Sequence, residues 1–150
     1  MSLLELLQKN YVQSPYHWKE MWINASKRDF DWDWIPIDKV RIKKIKVDKK
    51  FLPNEVDNNE VIYMINNFDE EVWFPVMINE DYFLLDGQHR LRLAFHTCMK
   101  YIDVIMEKRK DPEVTRKMKE EKKRKERFER MAIKLLKIRN RDIHLYFRPN

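Results

Sequence analysis

The sequence contains a single glycine, Gly87, in 150 residues, and a single cysteine, Cys98. The first scarcity excludes every phosphate loop built on two or more glycines. The Walker A loop, the dinucleotide fingerprint and the protein-kinase glycine loop all need several at fixed spacing. The second excludes an intramolecular disulfide and any multi-cysteine zinc or iron–sulfur centre. Also missing is any window of about 18 apolar residues, so no membrane-spanning helix is expected. The opening "MSLLELLQKN" has too short an apolar stretch and too early an acid for a secretory signal. The expectation is a soluble, cytoplasmic protein with no membrane partner.

What is abundant is charge. Apolar residues make up 43 % of the chain, enough for a core, but Asp, Glu, Lys and Arg make up 37 %. The charge is unevenly placed: residues 107–141 hold 16 Lys/Arg against 7 Asp/Glu, a net of +9, while the rest of the chain nets −3. The basicity therefore belongs to one segment, which points to a polyanionic partner or to a solvated helix face.

Local signals place the elements. Ser2 and Glu5 form a capping box over a short helix, and Ser14 followed by Pro15 reads as the N-cap of a second helix running to about Lys27. Trp18 and Trp22 share its face, and "DFDWDWIPI" alternates as an extended segment, its tryptophans either docking the N-terminal helices on the core or offering a stacking surface for bases. Val40, Ile42, Ile45 and Val47 are expected in one irregular strand. Asp57 with Glu60 caps a helix whose apolar stripe is Val61, Ile62, Ile65 and Phe68. Short strands are expected at 74–78, 82–85 and 101–106. Between the last two, a helix from Gln88 to about Met99 carries Leu91, Ala94, Phe95, Cys98 and Met99 inward. Asp111 and Pro112 open a long helix to about Ile138, charged over 115–127, with an apolar stripe at Phe128, Met131, Leu135 and Ile138. "IHLYF", 143–147, reads as an edge strand. The organisation is a helical and aromatic extension (1–34), a small α/β (α+β) domain with a mixed sheet (35–106), and a basic helix with a tail (107–150).

The lone glycine falls in "LLDGQHRLRLAF", 84–95, where a strand ends and a helix begins. Glycine adopts positive φ freely, and the first turn of a helix presents unpaired N–H groups at the positive end of its dipole. Around that turn Gly87, Gln88, His89 and Arg90 form a candidate phosphate site, with Arg90 able to hold two phosphate oxygens and His89 to donate to another. Asp86 either ligates Mg²⁺ bridging phosphate oxygens or caps the helix.

The stretch Pro75 to Met106, "PVMINEDYFLLDGQHRLRLAFHTCMKYIDVIM", resembles the ParB/sulfiredoxin superfamily, as does "IPIDKVRI", 35–42. The resemblance covers about 35–106 and implies a small mixed sheet with a phosphate- or nucleotide-binding turn at Gly87. Sulfiredoxins carry a cysteine where this chain has Gln88, so their chemistry does not transfer. Chromosome-partitioning ParB proteins carry a glutamate there and bind CTP. No helix-turn-helix region like theirs is found here. The archaeal free-serine kinases have a D-G-H-H-R turn similar to Asp86, Gly87, His89 and Arg90. In that branch an acid ahead of the first domain helix acts as base, a place taken here by Glu55, with Asp57 as alternate.

Several functions follow as expectations. One is a ParB-like protein that binds Mg²⁺ with CTP, ATP or ADP and lays Arg116, Lys117, Lys119, Lys122, Lys123, Arg124, Lys125 and Arg127 along DNA or another nucleic acid. A second is a small-molecule phosphotransferase with Glu55 and Asp86 as its catalytic carboxylates. A ParB-like nuclease using Asp86 and a metal, and a non-catalytic assembly protein that dimerises through the long helix, complete the set.

Overall fold

The computed structural model describes residues 1–146, with side chains through Arg139. Its elements run α1 (Leu3–Leu7), α2 (Tyr16–Arg28), β1 (Trp32–Arg41), α3 (Asn58–Asn66), β2 (Val76–Asn79), β3 (Leu84–Asp86), α4 (Gln88–His96), β4 (Tyr101–Arg109) and α5 (Pro112–Tyr146), with short 3₁₀ turns at Ile42–Lys44 and Glu70–Val72. Met1–Arg109 forms one compact unit and the chain from Lys110 onward a second. The first unit holds a four-stranded mixed sheet in the order β1-β4-β2-β3, with β2 parallel to β4 and the outer pairings antiparallel. This is the α/β class expected from the alternation of short apolar strands with helices.

β1 is an edge strand, which suits it to Pro36, a residue with no N–H to give to a second neighbour. It starts at Trp32, earlier than expected, so a boundary at 34/35 falls inside it. The strand expected through Ile45 and Val47 instead ends at Arg41, and Ile42 opens a 3₁₀ turn. The irregularity lies between Ile37 and Val40, where Lys39 takes φ +53°.

That bulge is fastened by Asp103, a fully buried carboxylate on the central strand β4. Asp103 accepts from the backbone N–H of Lys39 at 3.1 Å and of Ser14 at 2.8 Å, and from the Tyr11 hydroxyl. Lys19 Nζ lies 2.9 Å from Asp103 and 2.6 Å from Asp38. A buried charge is tolerated only when paired and hydrogen-bonded, and Asp103 is both. Ser14 therefore does not cap α2. Its N–H is taken by Asp103, its hydroxyl is buried with no partner among the described residues, and Pro15 stands at the N-cap with no side-chain bond.

The tryptophans do hold the N-terminal segment. Trp73 is buried and donates to the Val12 carbonyl at 3.1 Å. Trp18 packs edge-on against Phe74 with centroids 4.2 Å apart, and Trp22 meets Trp34 at 5.5 Å. On α3, Asp57 caps the first turn as expected, but Ile62 is exposed, and Val61, Met64 and Ile65 face the core.

The strand expected at 82–85 is displaced to Leu84–Asp86. The Asn79 side chain accepts from Asp81 and Phe83 N–H groups and draws a turn out to Tyr82, at φ +66°. α4 ends at His96 and not Met99. Met99 N–H reaches the Ala94 carbonyl and Cys98 N–H that of Phe95, a Schellman closure with Cys98 in the left-handed position. That turn points Cys98 outward. Phe95 is exposed too, and Leu93, Ala94, Thr97 and Met99 are the inward residues. α5 runs past Ile138, so 143–146, read as an edge strand, continues the helix, and Phe147 lies outside the described residues. Among the described residues no helix is long and apolar enough to cross a membrane.

Gly87 links β3 to α4 as the N-cap of α4, at φ +98° and ψ +30°. A Cβ built there would stand 2.7 Å from Val76 Cγ1 and 2.9 Å from Val76 Cβ, on β2. Glycine is thus required twice, for the left-handed turn and because β2 fills the space a side chain would occupy. The close approach to the glycine is made by the protein's own strand.

Two outcomes are expected. Burial, the bond to Asp103 and the charges of Asp103 and Asp38 raise the Tyr11 pKa above its usual 10.0. Burial opposes the charge on Lys19, but its bonds to Asp38 and Asp103 and their attraction outweigh this and raise its pKa above 10.5. Folded pKa values above the unfolded ones give stability that is complete below about pH 10 and is lost as pH rises further. Urea midpoints should hold to about pH 10 and then fall, less steeply in Tyr11→Phe; a midpoint level to pH 11 would contradict this. Gly87→Ala should cost more than the roughly 1–3 kcal/mol of left-handed strain alone, because Val76 must also move. The check is the urea midpoint, and an unchanged one would show that the turn relaxes freely.

Candidate functional site

The β3–α4 turn opens into a cleft of about 540 Å³. Its other wall is the loop ahead of α3 together with the start of that helix. Glu55 and the contiguous Asp86, Gly87, Gln88, His89 and Arg90, all named from the sequence, line it. Leu52, Met64, Val72 and Phe74 supply an apolar side.

The floor is the first turn of α4. Gly87 makes no side-chain cap, and no acid stands in that turn. Asp86 is accordingly not the cap; its carboxylate is largely exposed, with Oδ2 3.5 Å from Arg90 Nη2. A helix start without a side-chain acceptor keeps its N–H groups and its positive dipole end for a ligand anion.

Arg90 is held from three directions. Nη1 donates to the Pro75 carbonyl at 2.8 Å, the guanidinium lies 5.6 Å from the centre of the Phe74 ring, and Asp86 faces Nη2. Burial pushes the Arg90 pKa down and the charge of Asp86 partly offsets it; a guanidinium so held stays charged. The Pro75 bond is of full strength and fixes the fork, whereas the contact to Asp86 is at the limit of hydrogen bonding. The Nη2 side of the fork is therefore the less tightly held.

His89 joins the two walls. Its Nε2 accepts the Asp57 N–H at 3.2 Å and lies 3.4 Å from Glu60 Oε2. These contacts need opposite states of Nε2: a lone pair for Asp57, a proton for Glu60. The other ring nitrogen, Nδ1, takes part in neither contact. Asp57, the alternate base, is committed to the α3 cap, where its side chain accepts from Asn59 and Glu60 N–H groups. Glu55 is exposed on the cleft wall.

Three carboxylates, Glu55, Glu60 and Asp86, thus share the cleft with one arginine and one histidine. Among the described residues no group of three or more His, Cys, Asp or Glu side chains is placed to hold a metal ion. The donor set fits Mg²⁺ that arrives on phosphates, since that ion keeps several waters and takes one or two carboxylates. It does not fit a cation held by the protein alone.

Glu60, Phe74 and the Pro75 carbonyl were not foreseen in the site. Glu60 reads from sequence as half of a capping box, and nothing local shows that it would stand opposite His89, 29 positions away. The eight basic residues expected to meet nucleic acid lie on α5 and are exposed. Arg116 is paired within the helix to Glu113 and, at 2.6 Å, to Glu120, and Lys125 lies 3.5 Å from Glu121.

No family model matches the chain, and no curated protein matches it. Among solved structures it is similar to the pNOB8-like ParB N-domain, at 25% identity and a TM-score of 0.43, over 51% of this chain and 28% of that one. It is also similar to the C2221 form of the Pnob8-like ParB-N domain, at 21% identity and a TM-score of 0.42, over 51% of this chain and 30% of that one. The chain thus spans less than a third of the length of those it resembles. The likeness is to a ParB-like fold, over about half of this chain, and it concerns the fold alone.

Proposed function

We propose that the cleft at the β3–α4 turn binds the phosphates of a nucleotide carried with Mg²⁺, and that α5 associates with nucleic acid. The observation that carries the first part is the uncapped, glycine-started turn of α4 opening into the cleft beside a pre-set Arg90. Phosphate oxygens would lie against the N–H groups of that turn and the Nη2 side of Arg90, with His89 as a further donor; Asp86 would be the carboxylate available to Mg²⁺, whose charge would offset the acidic wall. The ion, when bound, neutralises phosphate charge; orientation comes from the chain. The apolar side formed by Leu52, Met64 and Phe74 suits a base or ribose face. The association of α5 rests on its exposed cations and the segment's net charge of +9.

A second reading is supported by one feature, the presence of Glu55 on the wall of the same cleft. A carboxylate there would take the proton of an acceptor hydroxyl as the hydroxyl oxygen bonds the terminal phosphorus, the P–O bond to the nucleotide breaks and the shortened nucleotide leaves with that electron pair. Arg90 would hold the transferred group, and Mg²⁺, when bound, would supply further neutralising charge.

Calorimetric titration with CTP, ATP and ADP, each with Mg²⁺, decides the matter. Saturable binding of at least one is expected, weakened tenfold or more (about 1.4 kcal/mol) in Arg90→Ala of unchanged circular dichroism. Glu55→Ala should keep that binding and, on the second reading, lose phosphoryl transfer. Absence of heat with all three nucleotides would remove the nucleotide reading.

A further inference from the structure

The cations of α5 are not spread evenly around it. At about 100° per residue, Lys119, Lys123, Arg127, Arg130, Lys134 and Lys137 fall within an arc of roughly 80°, and no other residue between 119 and 137 does. The stripe extends about 27 Å along the axis at 1.5 Å per residue. The acids of the same segment, Glu120, Glu121, Glu126 and Glu129, all lie outside it. Arg116 continues the stripe by angle, but its guanidinium is already paired to Glu113 and Glu120.

We infer that this stripe, and not the basic run as a whole, is the nucleic-acid contact, and that it reads the phosphate backbone without reading sequence; the inference rests on the nucleic-acid part of the function proposed above. Three of its members, Arg130, Lys134 and Lys137, lie beyond the run from Arg116 to Arg127 in which the sequence placed the contact. A helix seated in a major groove has phosphates on both flanks. Here the flanks of the stripe are Glu120 on one side and Glu126 on the other, with Met131 and Ile138 beside Glu120, so groove entry would set carboxylates and apolar side chains against phosphate. Contact along one strand meets only cations. An anionic bilayer is disfavoured because the stripe outlasts the apolar face: Lys119 and Lys123 lie ahead of Phe128, where no apolar stripe runs below them.

The test compares two full-length variants of equal net charge. One replaces Lys119, Lys123, Arg127 and Arg130 by alanine, the other Lys117, Lys122, Arg124 and Lys125. Alanine keeps the helix in both, which circular dichroism confirms. Binding is read by fluorescence anisotropy with a labelled 24-base-pair duplex and its scrambled counterpart over a salt series. The stripe variant should lose about 30-fold or more in affinity, and its log–log salt slope should fall by about 3, near the 0.9 per lost phosphate contact of duplex DNA. The second variant should lose no more than about fivefold, and the two duplexes should bind alike. Equal losses in the two variants, or a tenfold preference between duplexes, would overturn the stripe while leaving nucleic-acid association standing. An unmodified protein that binds neither duplex would overturn both, and binding only to phosphatidylserine–phosphatidylcholine vesicles would assign the stripe to a lipid surface instead.

Discussion

The contact between Gly87 and Val76 governs the cleft. At 2.7 Å from a would-be Cβ, the valine of β2 leaves no room for a side chain at the N-cap of α4, and the backbone there sits at φ +98°. The two requirements together fix how α4 leaves β3. Once that direction is fixed, Arg90 reaches back to the Pro75 carbonyl at the head of β2 and His89 reaches across to the N-terminus of α3. A turn that is rigid because it is closely packed is what a preorganised anion site needs, since its N–H groups need not be ordered at the moment of binding.

The other anchor, Asp103, works at longer range in sequence. One carboxylate on the central strand holds Tyr11, the N–H of Ser14, the bulge at Lys39 and the ammonium of Lys19. The N-terminal segment is thereby part of the same unit as the sheet, although it looks like an appendage by composition. From the far side of that segment Trp18 packs on Phe74, whose ring in turn lies beside Arg90. A chain of packed aromatic and cationic groups therefore runs from α2 to the edge of the cleft.

The turn was legible in the sequence because glycine is so scarce: one residue able to take positive φ, between an apolar strand and a polar helix start, admits few readings. The alternation of elements was legible for the same reason, that apolar runs and capping residues such as Asp57 are local signals. What escaped was long-range. Ser14 reads as a cap until Asp103, 89 positions away, claims its N–H. Cys98 and Phe95 read as core until the Schellman closure ends α4 early and turns them out. Glu60 and Phe74 carry no local mark of the site, since only the packing of α3 against α4 and of the chain ahead of β2 brings them to His89 and Arg90.

The account stands on the first turn of α4 being an anion site. Its most direct test is an ¹⁵N-resolved NMR titration of the protein with CTP, ATP and ADP, each with Mg²⁺. The amide signals of Gln88, His89 and Arg90 should move first and furthest, saturating with one nucleotide per chain. Those three amides staying still while signals elsewhere shift, or all signals staying still, would contradict it.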